Sequence, residues 1–188
     1  MSARAACDGL VDASTFRQGM RRLAASVMLV TVQLDGGRRF GMTATAVCSV
    51  SADPPTLLCC VNRQNGSRAA LLEADHFAVN VLAADEHELA DRFARTMPPE
   101  ERFAQGRWTT LESAAPVLET AVAAFDCRRS HQMDVGGHTV FFGQVRAVRL
   151  NGVSEPPLLY AHGGYGRFDQ APPPLSAAQA ILARLSPL

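Results

Sequence analysis

Two extended apolar runs joined by a glycine turn constrain this chain most. Val27 to Leu34, VMLVTVQL, is rich in branched side chains and reads as a strand. Asp35-Gly36-Gly37 follows at once. Glycine accepts the positive φ that a tight hairpin turn requires. Phe40 to Val50 then reads as the returning strand. Ala52-Asp53-Pro54-Pro55 ends it, because proline cannot donate to a ladder. A hairpin this early commits the chain to antiparallel pairing.

The remaining pattern continues in that style. Ser14 reads as the N-cap of a helix through SxxxFRQGMRRLAASV, with Phe16, Met20 and Leu23 on one face. Thr56 to Val61 reads as a short buried strand and Asn62 to Ser67 as a polar loop. Ser67 is placed to cap a helix through Leu71 and Leu72. Phe77 to Leu82 alternates like a strand, and Asp85 to Ala94 reads as a helix with Leu89, Ala90 and Phe93 inward. Residues 95–115 look irregular, with Trp108 as a lone aromatic anchor. Val122 to Arg128 and Thr139 to Leu150 read as strands joined by a loop containing Val135-Gly136-Gly137-His138, and Leu158 to Ala161 as a last short strand. Pro172-Pro173-Pro174 followed by SAAQAILARL reads as a linker and a small terminal helix.

Five to seven strands and two or three helices follow, without strand–helix–strand alternation. The fold class expected is mainly β: an antiparallel barrel with peripheral helices rather than a doubly wound sheet. The expected organisation is a flexible stretch over residues 1–13, one domain over 14–170, and a tail over 171–188.

Composition narrows the function. At 47% hydrophobic and 19% charged, the 188 residues can bury a core. Lys plus Arg equals Asp plus Glu at 18 each, so no positive excess points to nucleic acid or an anionic membrane. No apolar stretch approaches the ~18 residues of a membrane span, and no leader pattern is visible. The five cysteines, Cys7, Cys48, Cys59, Cys60 and Cys127, include no CxxC and read as reduced thiols. His76, His87, His131, His138 and His162 lack ligand spacing, so no metal is expected. A cytoplasmic protein is the expectation.

Neither GGRRFG nor VGGHTVFFG is a dinucleotide fingerprint, and neither a P-loop nor a GxSxG elbow occurs. Cys48 on an apolar strand reads as structural. Three segments remain. In GMTATAVCSVSADPP, the small residues either let another element pack closely or leave room for a flat, polar-edged ligand. Thr43, Thr45 and Ser49 occupy alternate positions and so share one face of a continuous strand. In NRQNGSR, clustered Asn, Ser and Arg donors make either a solvated loop or an anion site. His138 follows two glycines and is either an exposed turn residue or a ligand contact.

Taken in order, FRQGMRRLAASVMLVT, GMTATAVCSVSADPPTLLCCVNRQNGS, FAVNVL, ERFAQGRW, APVLETAVAAFDC, VGGHTVFFGQV and PLLYAHGGYGRF resemble the short-chain flavin reductases, over about residues 15 to 168. These are the reductase components of two-component flavin-dependent monooxygenases. The resemblance implies an FMN-binding split β-barrel working as a homodimer. It implies hydride transfer from NADH or NADPH to FMN or FAD, and reduced flavin diffusing to a separate monooxygenase.

Carried over by position, the resemblance puts Met42, Thr43, Ala44, Thr45 and Ala46 along the flavin ring, with Cys48 and Ser49 nearby. Asn62, Arg63, Gln64, Ser67 and Arg68 match the loop that holds the ribityl chain and phosphate. Phe93 and Ala94 match a helix-end contact. Gly136, Gly137 and His138 match the family's Gly-Asp-His, near the nicotinamide, with the acidic residue replaced by glycine. Tyr165 and Arg167 match a segment covering that site. His138 is expected to position the nicotinamide, and no side chain need act as acid or base. Two other readings stay open: a split barrel that holds flavin without turnover, and a flavin-dependent reductase of a non-flavin acceptor.

Overall fold

The computed structural model describes residues 9–151 and 155–168. The terminal helix and its proline linker, the first eight residues with Cys7, and the C-terminal limit of the expected domain lie outside the described residues.

Helix α1 spans Ala13–Met20 and is capped by Asp12, whose carboxylate accepts from the amides of Ser14 and Thr15. Asp12 therefore displaces Ser14 as the N-cap, since its carboxylate reaches two of the free first-turn amides. Phe16, Met20 and Leu23 do share a side, but all three remain exposed.

Strands β1 (Ala25–Ser26) and β2 (Met28–Gln33) follow, then β3 (Arg39–Ala44) after the Asp35–Gly37 turn. The β2–β3 hairpin runs as its turn chemistry requires, with Gly36 and Gly37 both at positive φ. The returning strand is not continuous to Val50. It breaks at Thr45-Ala46 and resumes as β4 (Val47–Ala52), which turns through Asp53-Pro54 into β5 (Pro55–Asn62). The next elements are helix α2 (Arg68–Glu73), strand β6 (His76–Val81), and helices α3 (His87–Ala94) and α4 (Pro99–Arg102). Short strands β7 (Trp108–Thr109) and β8 (Val117–Leu118) precede a long hairpin of β9 (Ala123–Val135) and β10 (His138–Leu150). The chain between them is not a loop. Only Gly136 and Gly137 turn, and the strands pair up to that point. A final hairpin of β11 (Leu158–Ala161) and β12 (Gly164–Arg167) pairs with β1; β12 was not foreseen from the sequence.

Seven strands form one antiparallel sheet in the order β3-β2-β6-β9-β10-β5-β4. Its two edge strands, β3 and β4, are consecutive in the chain. Laid flat, seven strands would span roughly 29 Å, whereas the Thr45-Ala46 link reaches about 11 Å. The sheet must therefore curl until its edges meet, which makes it a barrel. The expected fold class is borne out, and the barrel seam falls at Thr45-Ala46.

The curled sheet has two cores. Inside lie Val30, Val32, Met42, Leu57, Val61, Phe77 and Phe141. Outside, Ala90 of α3 and Leu118 of the 103–118 segment join Val27, Leu29, Ala78 and Leu82 in a second cluster. Strands β2 and β6 are thus covered on both faces, which is why VMLVTVQL is a continuous apolar run. Trp108 is not a lone anchor. It packs on Phe93 at 5.6 Å and on Phe103 at 4.9 Å between ring centroids. A buried polar set fixes this cover. Asn80 accepts from the Leu118 amide at 2.8 Å, and Thr31 donates to the Pro116 carbonyl at 2.5 Å.

Candidate functional site

Side chains on β3 alternate as a strand must. Met42 and Ala44 point into the barrel and are only 4% and 8% exposed. Thr43 points the other way, and its hydroxyl donates to the Ala90 carbonyl of α3 at 2.5 Å. Beyond the end of β3, Thr45 and Ala46 stand exposed, as do Cys48 and Ser49 on β4. Because the strand breaks between Thr43 and Ser49, those two do not share a face with Thr45. The common hydroxyl face expected from a continuous strand is not formed.

Thr45 and Ala46 line a groove of about 560 Å³ together with Phe16 and Met20 of α1 and Tyr160 and Ala161 of β11. Phe93, foreseen as a ligand contact, has its ring buried at 2% exposure. It packs under β3, where a Cβ added to Gly41 would meet its ring carbon at 2.8 Å. Its side chain supports the wall from behind, and only Ala94 of that pair is exposed.

The polar loop after β5 is internally ordered. Asn62 Oδ1 accepts from the Gln64 amide and Asn65 Oδ1 from the Ser67 amide, both at 2.9 Å. Ser67 occupies the N-cap position of α2 but makes no capping bond. Its hydroxyl donates instead to the Gly41 carbonyl at 2.9 Å, tying the loop to β3. The Arg63 amide donates to the Gly137 carbonyl at 2.9 Å, and Asn62 is the register partner of His138. The loop and the Gly-Gly-His turn are thus one surface patch.

Inside this patch, Arg68 Nε donates to Thr139 Oγ1 at 2.7 Å, and Thr139 Oγ1 donates to Asp134 Oδ1 at 2.5 Å. Arg68 Nη2 reaches the same carboxylate oxygen at 3.2 Å, and Arg63 Nε lies 3.9 Å from the other. The Thr139 hydrogen bond first, then Arg68 and Arg63, hold the Asp134 carboxyl below its usual range. Asp134 was missed from the sequence. A two-residue turn at Gly136-Gly137 would have revealed it, because that turn fixes Asp134 opposite Thr139.

The patch adjoins the seam. The Cys60 amide donates to the Ala46 carbonyl at 2.9 Å, and Asn62 lies two residues further along β5, about 7 Å. Tyr165 sits with a different set. Its hydroxyl donates to Asp91 at 2.7 Å and its ring meets Tyr160 at 5.6 Å. Burial first, then Asp91, push its phenol up to about 12. Arg167 is exposed at the end of β12.

A family model described as "Flavin reductase like domain" matches residues 20–169. A protein named FMN reductase (NADH) RutF from Methylorubrum extorquens is 42% identical over 181 residues, covering 93% of this chain and 87% of its own. The structure of the Streptomyces globisporus NADH:FAD oxidoreductase SgcE6, in complex with NAD and FAD fragments, is 30% identical with a TM-score of 0.77. It covers 85% of this chain and 96% of its own. BorF, the flavin reductase component of a bacterial two-component tryptophan halogenase, is also 30% identical with a TM-score of 0.76, covering 85% of this chain and all of its own.

Proposed function

The chain belongs to the flavin reductase like family, and from that premise we propose that it oxidises NADH, reduces free FMN and releases the reduced flavin to a separate monooxygenase. The observation that carries this reading is the junction at Ala46. There the barrel seam, with its small exposed residues, meets the arginine-bearing loop and the Gly-Gly-His turn. A planar ring needs a wall without large side chains, and Thr45-Ala46 provides one. A flavin phosphate needs guanidinium and amide donors, and Arg63, Arg68 and their loop stand beside that wall.

Hydride transfer between nicotinamide and flavin is chemistry of the two cofactors, so this chain's part is orientation. The seam lies against one edge of the ring, and the loop holds the ribityl chain and phosphate. Thr43 contributes through its backbone, since its hydroxyl is bonded to α3, while Met42 and Ala44 are buried and pair with β2 as the wall behind it. His138, beside Asn62, positions the nicotinamide. Tyr165 and Arg167 belong to the segment that covers it.

The curated relatives named as NADH-dependent FMN reductases support FMN and NADH over FAD and NADPH. The halogenase component supports a separate oxygenase as the consumer of reduced flavin. The exposed Phe16, Met20 and Leu23 of the α1 segment support a homodimer, which would cover them. The setting is the cytoplasm, where NADH is available. The experiment mixes purified protein with NADH and free FMN and follows nicotinamide absorbance. Loss of many equivalents of NADH per protein, dependent on added flavin, is expected. A yellow protein inert to NADH would replace this reading with that of a flavin-holding module.

A further inference from the structure

Arg63 of the loop after β5 and Arg68, the first residue of α2, face a single carboxylate that comes from a different element. Asp134 lies on β9, one position before the residue flanking the Gly136-Gly137 turn, and register places it opposite Thr139. Thr139 is 1% exposed and links Arg68 to Asp134 through its hydroxyl, accepting from one and donating to the other. Arg68 also reaches Asp134 directly at 3.2 Å, so the three side chains close a ring. Arg63 approaches the second carboxylate oxygen at 3.9 Å. The carboxylate therefore holds the position next to both guanidinium groups that an anionic ligand of this loop would seek.

From this arrangement we infer that Asp134 is a specificity-determining residue that competes with the phosphate of a phosphorylated flavin for Arg63 and Arg68. The inference rests on the proposed reading that this loop receives the flavin phosphate. Two like charges, the carboxylate and the phosphate, must share two guanidinium groups, and each weakens the hold on the other. Asp134 thereby limits the affinity for flavins that carry a phosphate and leaves the isoalloxazine ring untouched. For a reductase that hands its product on by diffusion, a moderated phosphate grip keeps the flavin a substrate rather than a resident group.

The test is equilibrium binding of FMN and of riboflavin, which lacks the phosphate, to wild type, Asp134→Asn and Asp134→Glu. Flavin fluorescence quenching is the readout, and thermal melting confirms that each variant is folded. Asp134→Asn is expected to tighten FMN roughly fivefold at low salt, to leave riboflavin unchanged, and to lose its advantage as salt screens the charges. Asp134→Glu keeps the charge and is expected to bind FMN within about twofold of wild type. Weaker FMN binding by Asp134→Asn would show that the carboxylate positions Arg68 rather than competes, and would overturn the inference. Equal shifts for FMN and riboflavin would overturn it too. Equal binding of riboflavin and FMN by both the wild type and Asp134→Asn would overturn the phosphate reading of the loop itself. That failure differs from a folded variant in which only the predicted sign is wrong.

Discussion

The Cys60 amide donates to the Ala46 carbonyl at 2.9 Å, which carries the β4–β5 ladder one residue past Val47 into the link between the sheet's two edge strands. Ala44, two residues earlier, still lies on the opposite edge strand, β3, where it pairs with Met28 of β2. The side chains of these two alanines consequently have different surroundings. Ala46 is exposed at the groove, and Ala44 is buried in the barrel. Ala46→Phe should weaken flavin binding by an order of magnitude or more, with an unchanged melting temperature. Ala44→Phe overpacks the core and should cost about 1–3 kcal/mol of stability. Titration with FMN, alongside thermal melts, separates the two, and normal flavin binding by folded Ala46→Phe would make the seam a packing feature.

Thr43 Oγ1 bonds the Ala90 carbonyl, so its hydroxyl joins β3 to α3 instead of facing the groove. Thr43→Val keeps the shape and removes the donor. It should cost about 1 kcal/mol in urea unfolding and leave the KM for FMN within about twofold, because a ligand here meets the backbone. A large rise in that KM without loss of stability would return the hydroxyl to the ligand.

His138 opens β10 opposite Asn62, with its ring exposed beside the arginine loop. His138→Ala should raise the KM for NADH several-fold while flavin binding changes little. Steady-state kinetics at saturating FMN, paired with FMN titration, give both values. Unchanged NADH kinetics would remove the residue from the site.

Gly143 marks a register shift between β9 and β10. A Cβ there would lie 2.6 Å from Phe77 Cζ and 2.8 Å from Cys127 Cβ, both inside the packed barrel. Neither neighbour can yield without opening the core. Gly143→Ala should therefore lose about 1–3 kcal/mol of stability, measured by chemical denaturation, while the folded fraction retains its flavin affinity.

Local chemistry made much of this fold readable in advance. The Asp-Gly-Gly turn fixed the first hairpin, the two prolines fixed the second, and Leu89, Ala90 and Phe93 marked the inner face of α3 at helical spacing. What local pattern could not carry was closure. Nothing in the run from Phe40 to Val50 says that the strand breaks at Thr45, because the break is imposed by the need to pass from one edge of the sheet to the other. The irregular 95–115 segment was opaque for a similar reason. Its cover over the outer core is anchored by Asn80 and Thr31 and, through Ser113, by Asp126, all of them distant in sequence. In the site, small residues and clustered donors were recognisable by type. Which side chains face a ligand was not, since Met42 and Ala44 face inward only once the barrel closes.

In the proposed reaction, flavin visits this protein, is reduced by NADH, and leaves. Anaerobic incubation of the protein with excess NADH and FMN, followed by rapid ultrafiltration, tests it directly. Reduced FMN is expected in the filtrate at many equivalents per protein, formed no faster than NADH is consumed. Flavin retained on the protein at one equivalent, with no further NADH consumed, would contradict it.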